Sequence, residues 1–490
     1  MQDSNSATHD VAVPFDVKDL IFSTTDKKGV IRSVNDIFLK MARYSMEEVL
    51  GKPHKLVRHP SMPRAGFQLY WDYIQRGEAV GVFVTNRASD GAFYKVYTLA
   101  TPLDDGYLAI RFKTTSALQD VVDGVYKKLC EYEAEEAAKG IPSAEYMNGS
   151  RSLLMDELRQ LGFESYEEFM IATLVQEMRS RDNEMREVAI QTFSETRTQV
   201  STSGASSTDA KLENMIGYLG KAYQVSSRLF DGIGTLLDLQ KKLQANASAV
   251  TRVSKLFEMS SINVSLEATR TGDQARCLSV IATHLSESSQ TVRELADSMR
   301  SQIEISSGSL GDLVFRTAAA RLQVETMLDF CQKAASGIRL DAGDSAELVL
   351  THPRQRMDLT IVDLLEAIDR QRSTLGPTMQ ELIKNLRKLE ADLASVKRSM
   401  LSLRFAQLGG KIESSRLGQD SVIGTLVESI GTEIIRTVGQ ISDLESDLNV
   451  AATGVEMSFR LLGEMNVSLS NVRGCSEVLN DDSSVTQAAA

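Results

Sequence analysis

The chain has 490 residues, room for two or three domains. Its 54 Lys+Arg against 66 Asp+Glu leave a net charge of −12, which argues against nucleic acid or an anionic membrane surface as the main partner. The four cysteines, Cys130, Cys277, Cys331 and Cys475, are far apart and form no CxxC or Cys/His cluster, so neither a disulfide framework nor a zinc site is expected and the compartment reads as a reducing cytoplasm.

The N-terminal MQDSNSATHD lacks a basic stretch followed by an apolar run, so no signal peptide is expected. Nowhere do about 18 apolar residues run together, so membrane insertion is not expected either. Proline divides the chain. Five of the eight prolines lie at or before Pro102, Pro142 follows, and the next is Pro353. Long proline-free stretches permit long helices. The single tryptophan, Trp71, also falls in the first part. The spacing predicts a compact α+β domain followed by helices.

Leu20 to Thr25, the turn Asp26-Lys27-Lys28-Gly29, and Val30-Ile31 read as a strand, a tight turn and a returning strand. Ser45 and Glu48 form a capping-box pattern at a helix start. Val80 to Thr85, Phe93 to Pro102 and Tyr107 to Phe112 read as three more strands, joined by turns at Ser89-Asp90-Gly91 and Asp104-Asp105-Gly106. Five strands, with short helices between the second and third, make one sheet domain over 15–115.

Three stretches carry a resemblance: Ser33-Val34-Asn35-Asp36-Ile37-Phe38, the run Gly51 to Pro63 with its Val57-Arg58-His59-Pro60, and Asn86-Arg87 with Asp90-Gly91-Ala92-Phe93-Tyr94. Residues 17 to 115 resemble the PAS domain of bacterial aerotaxis receptors. The resemblance implies a cleft holding FAD, which senses redox state or oxygen indirectly. It implies Asn35 and Asn86 for the flavin ring edge, and Arg58 with His59 for the pyrophosphate. Asn35 also suits a turn cap, Arg58 a surface ion pair, His59 a loop-shaping role before Pro60, and Trp71 the core. Two positions depart from the family pattern: Ser61 stands where an acidic residue is usual, and Val80 aligns with a tryptophan that stacks near the flavin. Haem is not expected, since no histidine has a ligand signature.

Residues 116–208 read as a helical connector, broken around Gly140-Ile141-Pro142. For the Ser/Thr/Gly-rich stretch 192–209 two readings stand: a flexible joint, or a polar part of a continuous helix. Beyond 209 the pattern is coiled coil. Leu375, Met379, Leu382, Leu386, Leu389, Leu393, Val396, Met400 and Leu403 alternate four and three, and Val427, Ile430, Ile434, Thr437, Ile441, Leu444 and Leu448 make a second seam. Gly409-Gly410 and Gly418 between them favour an antiparallel hairpin over one uninterrupted coil. The expected fold class is an α+β PAS domain followed by a mainly α-helical antiparallel coiled-coil or four-helix-bundle region. Its parts are a first hairpin over 209–350, a second over 351–475, and a disordered tail over 476–490.

Ser261 to Arg276 resembles the hairpin tip of methyl-accepting chemotaxis proteins, with Asn263, Glu267, Arg270 and Gly272 matching in type. Glu413, Arg416 and Gly418 repeat the Glu-x-x-Arg-x-Gly spacing. The resemblance implies the chemotaxis histidine kinase and its coupling protein as partners. Homo-oligomers, as ordinary receptors form, and a four-helix bundle closed within one chain by two tandem hairpins both remain open. Val264, Thr269, Thr271 and Cys277 replace the family's small residues, which leaves a non-catalytic adaptor or scaffold in motility or biofilm control as the alternative. His284 lacks the neighbours of a phospho-acceptor site. No P-loop, Gly-x-Ser-x-Gly elbow or HExxH pattern is present, so the chain does not read as an enzyme.

Overall fold

The computed structural model describes residues 11–192, 207–271, 276–340, 351–417 and 422–488. The N-terminal part is a five-stranded antiparallel sheet: β1 (Leu20–Asp26), β2 (Ile31–Val34), β3 (Val80–Arg87), β4 (Phe93–Pro102) and β5 (Gly106–Lys113), in the order β2-β1-β5-β4-β3. Between β2 and β3 lie α1 (Asp36–Ala42), α2 (Met46–Val49), a single 3-10 turn (His54–Val57) and α3 (Arg64–Gln75).

Local chemistry sets these boundaries. Asp26 Oδ1 accepts the backbone N–H groups of Lys28 (2.8 Å) and Val30 (2.9 Å), and Gly29 takes φ +77°, so the β1–β2 turn closes where expected. Ser45 and Glu48 form the full capping box of α2. α3 starts at Pro63 with no capping side chain of its own. Its first N–H groups are instead taken by Glu133, which accepts from Arg64 N (2.8 Å) and Ala65 N (3.0 Å).

Strand alternation gives the sheet two different faces. Ser23, Val82, Val84, Thr98, Ala109 and Arg111 point to one side, under α1–α3. Phe22, Phe83, Tyr97 and Phe112 point to the other, where they form an aromatic cluster; Tyr97 and Phe112 stack at 5.6 Å.

Three helices follow: α4 (Leu118–Ala138), α5 (Ser143–Gln160) and α6 (Tyr166–Thr192). The break at Gly140 is present, and a second occurs at Gly162, where φ is +90°. These helices pack on the sheet domain. Tyr166 OH donates to Gly81 O (2.9 Å), Tyr126 OH to Phe83 O (3.0 Å) and Tyr97 OH to Met170 O (3.1 Å). The Ser/Thr-rich stretch after Thr192 falls mostly outside the described residues.

Four long helices complete the chain: α7 (Ser207–Thr271), α8 (Arg276–Leu340), α9 (Thr351–Leu417) and α10 (Val422–Ala488). All nine residues of the first seam and all seven of the second are buried. Gly409 and Gly410 do not break the helix as expected. α9 continues to Leu417, since glycine costs a helix only about 1 kcal/mol and the buried seam outweighs it. Nor is 476–488 irregular. α10 runs on to Ala488, through residues that include no proline or glycine after Gly474.

Contacts divide the chain into two compact units. One holds the chain up to Phe230 with Val314–Leu375 and the part from Leu462 onward; the other holds Asp231–Leu313 and Gly376–Leu461. Within the second, the helices neighbour each other in a closed ring. Ser254 and Ser289 exchange hydroxyl-to-carbonyl bonds between α7 and α8 (3.2 and 2.8 Å). Ser298 donates to Asp392 between α8 and α9 (2.8 Å), Lys397 to Glu445 between α9 and α10 (2.5 Å), and Leu236 of α7 packs on Gly454 of α10. The unit is thus an antiparallel four-helix bundle drawn from one chain.

Candidate functional site

α3 and the 3-10 turn span the inner face of the sheet without filling it. They enclose a cavity of about 300 Å³, at the lower end of the range for small-molecule sites. Its walls are apolar and aromatic: Met62, Phe67, Trp71, Ile74, Val82 and Val84. Trp71, expected in the core, is a half-buried wall residue, its ring against Gly29 and Tyr107.

The structure brings two of the four expected cofactor residues to this cavity. Arg58 and Asn86 both line it and are joined by an isolated backbone bridge. Arg58 lies over the Phe67 ring at 4.1 Å and donates to Met62 O at 3.1 Å, and among the described residues it forms no ion pair.

The other two are elsewhere. Asn35 caps α1. Its Oδ1 accepts from Phe38 N and Phe22 N (both 3.0 Å), and its Nδ2 donates to Leu20 O (2.7 Å). Those bonds commit the amide, and the cavity wall does not include it. His59 Nδ1 meets the Ser61 hydroxyl at 2.6 Å, and neither residue lines the cavity. Val80, aligned with a stacking tryptophan, is also off the wall; its neighbours Val82 and Val84 are on it.

Sequence reasoning missed the most unusual lining group. Arg111 on β5 is 3% exposed. Its Nη1 donates to Ser23 Oγ (3.0 Å), and its Nη2 meets His54 Nε2 (2.8 Å). A guanidinium only donates, so His54 Nε2 accepts and the ring is neutral. Burial, reinforced by Arg111, pushes the His54 pKa down to about 3. Among the described residues no carboxylate pairs with Arg111. Thr98 Oγ1, 2% exposed and also on the wall, has no hydrogen-bond partner. The signal was an arginine at an inward position of the otherwise apolar run Tyr107-Leu108-Ala109-Ile110-Arg111-Phe112.

The sheet's other face is clamped by helices. Phe22 meets Phe330 of α8 edge-on at 5.3 Å, and Gln323 donates to Thr101 Oγ1 at 3.1 Å. α6 and α8 are joined by two crossed ion pairs. Arg181 binds Glu325 through both Nη atoms (3.0 and 2.7 Å) and donates from Nε to Val17 O (2.9 Å). Arg321 binds Asp182 likewise (2.7 and 2.5 Å). Both guanidiniums are buried. Glu177, fully buried on α6, accepts from Thr115 N (2.9 Å) and Ser116 N (3.3 Å) ahead of α4.

Of the expected partner-binding tip, Asn263 and Arg270 are exposed on α7. Gly272 and Gly418, and the side chains of Glu267, Glu413 and Arg416, lie outside the described residues. Earlier along its length, α9 exposes a stripe spaced four, three, four: Leu401, Phe405, Leu408 and Ile412, with Phe405 78% exposed. Met259, Ile262 and Leu266 do the same on α7. His284 is exposed and bonds Ser402 Oγ at 3.0 Å. No helix among the described residues is long and apolar enough to cross a membrane.

The strand order, the helices on one face and the cavity beneath them define a PAS domain, the fold expected, followed by a helical region. No family model matches the chain. Over 114 residues it is 36% identical to the Aerotaxis receptor of Escherichia coli (strain K12), covering 22% of this chain and 22% of that one. The match thus spans about a fifth of that relative's length. Similar solved structures include the light state of the blue-light photoreceptor Aureochrome1 LOV (18% identity, 21% of this chain, 88% of that one, TM-score 0.20). The photo-excited blue-light photoreceptor Vivid is another (21% identity, 22% and 86%, TM-score 0.17).

Proposed function

We propose that this chain is a cytoplasmic sensory transducer for aerotaxis or energy taxis. The cavity holds the flavin of FAD. Its state is relayed through α6 and the four long helices to a chemotaxis histidine kinase and coupling protein. The observation that carries this reading is a cavity on one sheet face with helices α6 and α8 locked to the opposite face. A change in the cavity wall then biases helix packing directly. The likeness to the Aerotaxis receptor supports the sensory part.

The residues fit the group. An aromatic slot takes a fused ring, Asn86 offers amide donors and acceptors, Arg58 offers a cation, and Thr98 has an orphaned hydroxyl. When bound, the flavin supplies redox sensitivity. The chain's own residues hold the ring, exclude water and transmit. α3, which carries Phe67 and Trp71, is tied to α4 by Glu133, and the sheet is tied to α6 through Tyr166 and to α8 through Gln323 and Phe330. The exposed stripe around Phe405, close to the Glu-x-x-Arg-x-Gly repeats, supports a partner-binding tip.

The absorption spectrum of the full chain, purified after expression with excess riboflavin, tests the cofactor. Flavin bands at near one equivalent are expected, and their absence removes FAD. Pulldown tests the output. Failure to capture the kinase and coupling protein, with normal swimming in a deletion strain, removes the chemotaxis reading. The adaptor reading then stands, favoured by Val264, which is buried in the bundle where the family has a small residue.

A further inference from the structure

Arg111 is an expense the fold does not need. Taking a cation out of water costs several kcal/mol unless an anion or a full set of acceptors compensates it. The other buried guanidiniums, Arg181 and Arg321, obey that rule, each with a bidentate carboxylate. Arg111 has a hydroxyl and a neutral imidazole instead. Both partners also line the cavity, and so does the unpartnered Thr98 hydroxyl. A strand interior gains nothing from such an arrangement. A methionine of similar length packs the same wall without the penalty.

We infer that Arg111 is a ligand-anchoring residue: its guanidinium, steered by Ser23 and His54, is held for the negatively polarised edge of a planar ligand in the cavity. For a flavin that edge is the carbonyl-bearing pyrimidine side. Naming it so rests on the flavin reading above; the anchoring role does not. His54 matters because its ring stays neutral. A protonated ring could not accept from Arg111 and would repel it.

The test uses the full chain and its Arg111→Met and Arg111→Lys variants, each stripped of ligand, with FAD and riboflavin as probes. Two quantities are read: the melting temperature without ligand, and the dissociation constant. An anchor predicts that Arg111→Met melts no lower than wild type when stripped, because an uncompensated buried cation is gone. It also predicts that Arg111→Met binds flavin at least about tenfold more weakly, with Arg111→Lys between, as for loss of a charge-assisted hydrogen bond. Binding within twofold of wild type, or a stripped melting temperature well below it, overturns the assignment. If wild type takes up neither probe, the flavin reading fails by itself. Arg111 is then judged on the stripped melting temperatures: a rise in Arg111→Met upholds a reserved cation, and a fall makes it structural.

Discussion

His54 accepts from Arg111 only while its ring is unprotonated, so this residue carries a pH signature. Its folded pKa lies at about 3, far below the ordinary histidine value near 6.5. The unfolded chain therefore takes up the proton first. Stability from this site is full above about pH 6.5 and is lost as pH falls toward 3. Thermal unfolding of the PAS part should show that decline, and His54→Asn should flatten it; an unchanged slope contradicts the neutral-acceptor assignment. A second residue-scale prediction concerns Glu133, which caps α3 from another helix. Glu133→Gln keeps the shape but weakens the charge on two N–H groups and the Ser150 hydroxyl. It should cost about 1–2 kcal/mol by denaturant titration. Such roles were poorly legible in the sequence. Arg58 and Asn86, carried by local strings, do lie on the cavity wall. Asn35 is not on the cavity wall, and its amide went to capping. Glu133 and Arg111 gave no local hint of their partners: the α3 N–H groups, Ser23 and His54 lie 57 to 88 residues away.

At the scale of elements, α6 and α8 are held by the crossed pairs Arg181–Glu325 and Arg321–Asp182. Removing one partner strands a buried charge. Glu325→Gln should therefore cost about 3–5 kcal/mol of local stability, whereas Glu325→Met with Arg181→Met should recover much of it. Hydrogen exchange over α6 and α8 measures both. On α9, the buried stripe and the exposed stripe separate stability from recognition. Leu393→Ala in the seam should cost about 2–5 kcal/mol. Phe405→Asp should leave the melting temperature within about 1 °C, yet abolish capture of the chemotaxis kinase and coupling protein. Retained capture would remove the tip from the output. The seams were legible because burial enforces heptad spacing residue by residue. The glycine pair looked like a break, but α9 runs through it to Leu417, because a glycine costs a helix only about 1 kcal/mol; Gly418, the third glycine, lies outside the described residues.

For the whole molecule, the expectation of an α+β PAS domain followed by helices holds. The connector is better described as part of the sensor's packing, since α4, α5 and α6 all bond to the PAS segment. Within the second unit, segments of α7, α8, α9 and α10 neighbour one another as a four-helix bundle. In the proposed transducer, the cavity and the helices on the opposite sheet face form one responsive element. Hydrogen exchange on the full chain, stripped and then loaded with FAD, tests this most directly. Flavin binding should change protection in α3 and also in α6 near Thr173–Arg181 and α8 near Arg321–Phe330. Bound flavin with changes confined to α3 and the cavity strands would contradict it.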